Sequence, residues 1–139
     1  MRPQIILPRG GNTLEYLYRE VRDRFPELGD IEFKVDIWDK DIDDGRVIRF
    51  EKGKMLISRK VLDFPESLIK ALFALSFLEL IVGDKPLLKE RMLRRRFPYE
   101  YEVYRVFDSL IKGKVYVNEE LLSDENYKND IRKVAEALK

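Results

Sequence analysis

The chain of 139 residues has no histidine and no cysteine. That removes Ser-His-Asp triads, Cys-His dyads, zinc fingers and every histidine-ligated metal site from the chemistry open to it. Disulfides are excluded as well, so cysteine usage says nothing of the redox compartment. No apolar run is long enough to span a membrane. The nearest, from Leu68 to Val82, is interrupted by Lys70 and Glu79. The Ile5-Ile6-Leu7 run near the N-terminus is too short for the core of a signal peptide. The expectation is a cytoplasmic protein with no membrane partner. A charge of one sign is also lacking: 27 Lys and Arg face 26 Asp and Glu, a net charge of +1. Nothing global draws the protein toward nucleic acid or lipid, so such a role must rest on local clustering.

What is present is ample core material. Hydrophobic residues make up 45% and charged residues 38% of the chain, a balance that argues against disorder. The length fits one globular domain over 1–139, with residues 1–11 extended or flexible. Abundant Lys, Arg and Glu without Cys or His is also the composition of heat-adapted proteins. No internal repeat, low-complexity tract or linker stands out.

The periodicities predict an α+β fold, mostly helical, with a small three-stranded sheet packed on a buried central helix. Asn12-Thr13-Leu14-Glu15 has the form of a capping box, and Leu14, Leu17, Val21 and Phe25 follow at helical spacing. Pro26 and Gly29 close that helix. Ile31 to Trp38 alternates as a half-buried strand does. Val47 to Phe50 and Met55 to Ile57 are two further strands, joined by a tight Lys52-Gly53 turn and antiparallel at least in that hairpin. Asp63, Pro65 and Glu66 mark a second helix start. This helix runs to about Val82 before Gly83 and, apolar on almost every side, belongs at the centre of the core. Pro86 to Arg96 and Tyr99 to Ile111 predict two more helices, the second with a Val103, Val106, Phe107, Leu110 stripe. Val115 to Val117 predicts a short strand. Ser123 to Lys139 predicts a last helix with Tyr127, Ile131, Val134 and Leu138 inside.

Four segments are candidates for function. The acidic turn Asp39 to Gly45 alternates aspartates as a hard-cation loop would. Counted from Asp39, however, the positions needing Gly and Glu hold Asp44 and Phe50. The expectation is a solvated turn, with no metal and no cofactor. The basic segment carries Lys85, Lys89, Arg91, Arg94, Arg95, Arg96 and Arg105, with Tyr99, Tyr101 and Tyr104 close by. Arginine and tyrosine are frequent interface anchors, and the same pair serves phosphate contact and base stacking. The candidate interaction patch is therefore Lys89, Arg91, Arg94, Arg95, Arg96, Tyr99, Tyr101 and Arg105. Glu90 dilutes it and stands four residues before Arg94, the favourable order for a surface ion pair. Third, Ser76 and Glu79 lie on the apolar helix, where a buried carboxylate could act as a general acid or base. No second catalytic group accompanies them, so no catalytic residue is assigned. Finally, Gly10-Gly11 and Lys52-Gly53-Lys54 lack the P-loop pattern.

The order of elements resembles the zincin metallopeptidase core, in particular its small gluzincin and SprT-like forms. The matching text is Lys54-Met55-Leu56-Ile57-Ser58-Arg59-Lys60-Val61-Leu62, then Pro65-Glu66-Ser67-Leu68 and the apolar helix. The resemblance implies a helix bearing His-Glu-x-x-His and a carboxylate ligand on a later helix. Laid on this chain, the motif falls at Ala74, Leu75 and Leu78, with Glu100 or Glu102 as the later carboxylate. None of the first three can bind zinc or activate water. The resemblance thus implies a pseudo-enzyme.

The leading expectation is a non-catalytic soluble protein acting through protein–protein interaction or self-association. The alternatives are a nucleic-acid binder using segment 85–105 and a carboxylate-dependent hydrolase using Glu79 or Asp41 and Asp43.

Overall fold

The computed structural model describes residues 11–38 and 47–139; the side chains of Gly11, Asn12 and Thr13 are outside that description. The acidic turn, with Asp41 and Asp43, and the first ten residues therefore lie outside the described residues, as does the capping role expected of the Asn12 side chain.

Helix α1 (Gly11–Arg22) buries Leu14, Leu17 and Val21 as the spacing predicts, and adds Tyr18, 1% exposed. The helix stops before Phe25, which is buried from the following turn, ahead of a short 3-10 helix over Pro26–Leu28. Three strands follow: β1 (Lys34–Trp38), β2 (Ile48–Glu51) and β3 (Lys54–Ser58). The β2–β3 hairpin is antiparallel. Its two turn residues, Lys52 and Gly53, have φ of 50° and 79°, the left-handed pair that a two-residue hairpin turn requires. The sheet order is β1-β3-β2, and β1 runs parallel to β3. β3 therefore has a neighbour on both sides, and Met55, Leu56, Ile57 and Ser58 are all buried. β1 and β2 are the two edges, which is why both carry partly exposed residues.

A 3-10 helix (Arg59–Asp63) leads into α2 (Glu66–Val82). Asp63 does not cap α2: it ends the 3-10 helix, and Pro65 occupies the cap position without a side-chain bond. α2 lies at the centre of the fold, against α1, β2, α3 and α4. Phe77 illustrates the packing: its ring lies 5.8 Å from Tyr18, 5.6 Å from Phe25 and 6.3 Å from Phe50. Gly83 ends α2 with φ of 82°, its N–H bonded to Glu79 O.

α3 (Pro86–Arg96) and α4 (Pro98–Ile111) are separated only by Phe97. A 3-10 helix (Glu119–Leu121) and α5 (Glu125–Ala137) complete the chain, α5 capped by Asp124 and burying Tyr127 and Val134. The short strand expected at Val115–Val117 is not formed. β1 and β2 pair only with β3 among the described residues, and Val115 is 84% exposed. Tyr116 instead turns inward and bonds Glu102. Leu138, expected inside, is 37% exposed beyond the last turn.

Candidate functional site

The largest change from the sequence-based expectation concerns the basic segment. The break at Phe97–Pro98 turns α3 against α4, and the patch divides. Arg91, Arg94 and Arg95 stay exposed on α3. Arg96 pairs with Glu27 and lies over the Phe25 ring at 5.1 Å. Lys89, its side chain only 14% exposed, is paired with Glu79 at 3.4 Å. Tyr101 is buried, and Arg105 binds its hydroxyl and stacks 4.2 Å over the Tyr116 ring. Tyr99 donates to Asp130 at 2.6 Å. Burial, then this carboxylate, pushes the Tyr99 phenol well above the tyrosine range. Thus three arginines of the patch remain at the surface and its tyrosines do not. The Glu90–Arg94 ion pair is not formed: Glu90 lines a cleft while Arg94 faces outward.

That cleft, about 350 Å³, opens between β2 and the helices α2, α3 and α4. Leu72, Leu75 and Phe107 give it an apolar floor, Val47 and Ile48 one wall, and Glu79, Glu90 and Asp108 an acidic rim. Tyr104 sits among them; burial first, then Asp108 and Glu90, raise its phenol far above the usual value. Among the described residues the wall at β2 is a sheet edge with no strand beyond it. Ser58 N–H bonds Val47 O, so the alternation of an antiparallel ladder leaves the Ile48 and Phe50 N–H and C=O groups pointing away from β3. No described residue accepts or donates there.

Ser76 and Glu79, the two candidates on α2, both have partners. Ser76 donates to Leu72 O at 2.9 Å, a bond within the helix. Glu79 is 34% exposed and paired, so it lacks the dry pocket that would make it a general acid. Among the described residues no three acidic side chains are placed to hold a metal. The residues expected at the zincin motif positions also separate. Ala74 and Leu78 are wholly buried in the core, and only Leu75 reaches the cleft. The cleft-facing set lies one residue on, at Leu75, Ser76 and Glu79. Glu100 and Glu102 do not stand opposite it: Glu100 pairs with Lys70 and Glu102 accepts from Tyr116.

A second polar cluster, which sequence gave no signal for, joins α2, α4 and α5. Ser67 Oγ and Tyr99 OH both donate to Asp130 Oδ2, at 2.8 and 2.6 Å. Lys70, three residues after Ser67, is 2.5 Å from Glu20 and 3.4 Å from Glu100. Burial by itself would lower the Lys70 pKa, but the two carboxylates outweigh it and hold the ammonium charged. Through the bonds to Asp130 this cluster fastens α2, α4 and α5 together. Its members lie 31 and 63 residues apart in sequence, which hides them from any motif.

A third feature is a tripeptide that occurs twice, Arg24-Phe25-Pro26 and Arg96-Phe97-Pro98. The two copies embrace. Phe25 stacks on Phe97 at 6.0 Å, Arg24 covers Phe97 at 4.1 Å, and Arg96 covers Phe25. Arg24 also donates to Arg96 O at 2.5 Å. The clasp ties the end of α1 to the end of α3.

Compared with known proteins, the chain matches no family model, no curated protein and no solved structure. Among the described residues no helix is long and apolar enough to cross a membrane.

Proposed function

We propose that this is a non-catalytic binding protein whose cleft beside β2 takes an extended segment of a protein partner. The observation that carries the reading is the open backbone edge at Ile48 and Phe50 placed against an apolar-floored cleft. An added strand would satisfy those backbone groups, and alternate side chains would enter the cleft. An apolar side chain fits Leu72, Leu75 and Phe107, and a basic one meets Glu90, since Asp108 on the same rim is paired with Lys112. A selection from randomised dodecapeptides tests this. Binders with alternating apolar and basic residues are expected, and Leu75→Lys should abolish their binding without unfolding the protein. Retention of every selected peptide by Leu75→Lys would sink the reading.

The degenerate zincin-like core is a second reading of the same cleft. The spacing of Leu75, Ser76 and Glu79 on the wall facing the sheet edge favours it. It is the spacing of a His-Glu-x-x-His motif with Leu, Ser and Glu in place of all three motif residues. The reading expects no peptidase activity and no change in melting temperature on adding zinc. Stabilisation by zinc, or cleavage of casein lost in Glu79→Ala, would point to a working enzyme instead.

A further inference from the structure

On α3, Arg96 pairs with Glu27 and Lys89 with Glu79. Arg91, Arg94 and Arg95 have no carboxylate partner among the described residues, and Arg24 acts on Glu20 without a close ion pair. Arg91, Arg94 and Arg95 follow Leu87 by four, seven and eight residues, which puts all four on one side of α3. Leu87 is 80% exposed. The Arg-Phe-Pro clasp brings Arg24 to the same end, where it borders a notch with Arg95. Its guanidinium is held over Phe97 before any partner arrives, which lowers the ordering cost of binding.

The chain carries a surface of the opposite kind. Glu119, Glu120, Asp124 and Glu125 are exposed about Leu122, itself 37% exposed. Asp124 caps α5 and Glu125 pairs with Lys128. Glu119 and Glu120 are thus the carboxylates beside this leucine with no side-chain partner among the described residues, and they complement the arginines that follow Leu87.

We propose that the Arg91–Arg94–Arg95 face of one copy docks the 119–125 segment of a second copy, leucine against leucine within a ring of ion pairs. The leucines favour this occupant over nucleic acid, because a phosphate backbone gains nothing from an exposed leucine. Of the patch tyrosines, Tyr101 is buried and Tyr99 is held by Asp130. Since the two patches differ, the contact is head-to-tail, and association continues past the dimer unless a ring closes. The inference does not depend on the β2 cleft.

Sedimentation velocity of the full chain over a concentration series, at low and high salt, tests it. The mass should rise with concentration at low salt and fall back with added salt. Arg91→Glu with Arg94→Glu and Arg95→Glu should weaken association by about tenfold or more, as should Glu119→Arg with Glu120→Arg. An equimolar mixture of the two variants should associate again, and Leu75→Lys should behave as the wild type. A protein monomeric at every concentration in low salt overturns the proposal. So does association that ignores both charge reversals. If the arginine variant loses affinity for a 20-base-pair DNA duplex while self-association is unchanged, the face belongs to nucleic acid and the proposal falls.

Discussion

Replacing Arg22 by methionine should be among the most damaging single changes at the α1–β1 connection. Arg22 is 5% exposed and gives its donors to main-chain carbonyls. It reaches Phe25 O at 3.1 Å, Gly29 O at 2.7 Å, and Ile31 O at 3.0 Å from Nε and 2.5 Å from Nη2. These carbonyls follow the end of α1, where the chain turns back toward β1; of the three, Phe25 O also accepts from Leu28 N–H at 3.1 Å. Methionine keeps the apolar stem and removes every donor. Phe25 O is the most enclosed acceptor, and with Leu28 N–H still on it the loss there is that of one hydrogen bond, about 0.5–1.5 kcal/mol. Gly29 and Ile31 are exposed residues, so water replaces part of what is lost there, at about 0.5–1 kcal/mol each. The expected total is about 2 kcal/mol. For a chain of this size that is roughly 7 °C in melting temperature. Urea unfolding followed by the fluorescence of the single tryptophan, Trp38, reads it directly. Arg22→Lys should lose about half as much, because one ammonium cannot span three acceptors. A loss below about 1 kcal/mol in Arg22→Met, with an unchanged urea slope, would refute the argument. It would mean that water serves all three carbonyls as well as the guanidinium does.

Three further outcomes follow from the packing and the charges. Phe77→Ala empties the aromatic centre of the core and should cost about 3–5 kcal/mol, measured by the same urea titration. In the clasp, a double-mutant cycle between Arg24→Ala and Phe97→Leu should return a coupling of about 0.5–1 kcal/mol; additive losses would show that the stacking contributes nothing. Glu20, Glu27 and Glu32 are held below the ordinary 4.5 by their bonds to Lys70, Arg96 and Arg19 respectively. Groups with depressed pKa values stabilise fully above their unfolded value and lose that contribution as pH falls through the folded one. The melting temperature should therefore drop as pH is taken below 4.5, and drop less in Glu27→Gln; equal slopes would remove the Arg96 pair from the explanation.

The parts of the fold legible in the sequence are those set by local pattern. The apolar circumference of α2 marks it as central, the Leu14-Leu17-Val21 stripe marks the buried face of α1, and Lys52-Gly53 marks the hairpin. The parallel pairing of β1 with β3 is not local: it depends on β3 entering between two strands, and nothing in Lys34–Trp38 encodes that neighbour. Val115–Val117 has strand composition but no strand edge beside it, so Tyr116 finds a hydrogen bond instead. The residues of the candidate patch are divided for a similar reason. Arg94, Arg95, Tyr99 and Tyr101 are close in sequence, but one non-helical residue at Phe97 rotates the second helix and sends the arginines out and the tyrosines in. Glu79 and Leu75 could be placed on the α2 surface by spacing, yet the cleft exists only because β2 is an edge and α4 lies across from it. The repeated Arg-Phe-Pro was visible as text; its meaning required the two copies to meet.

The absence of histidine has a last consequence for the association proposed above. The resolved shifts in the described residues move away from neutrality: glutamates down, and lysine, arginine and tyrosine groups up. With no imidazole and no thiol in the chain, no side-chain type present has an ordinary pKa between about 5 and 9. Both faces of the contact come from this same chain, so no partner can contribute a histidine. Self-association should then be constant within about twofold from pH ~5.5 to ~8.5 at fixed ionic strength, and should fail only near pH ~4, where carboxylates as a class protonate. Salt and pH thereby become separable: salt weakens the arginine–carboxylate contact throughout, whereas pH acts only at the acid end. A sedimentation series with a midpoint near neutral pH would contradict this, since no side chain in the contact can titrate there. It would mean that association uses a surface other than the Arg91–Arg94–Arg95 face, and the charge-reversal pair would then fail to restore it.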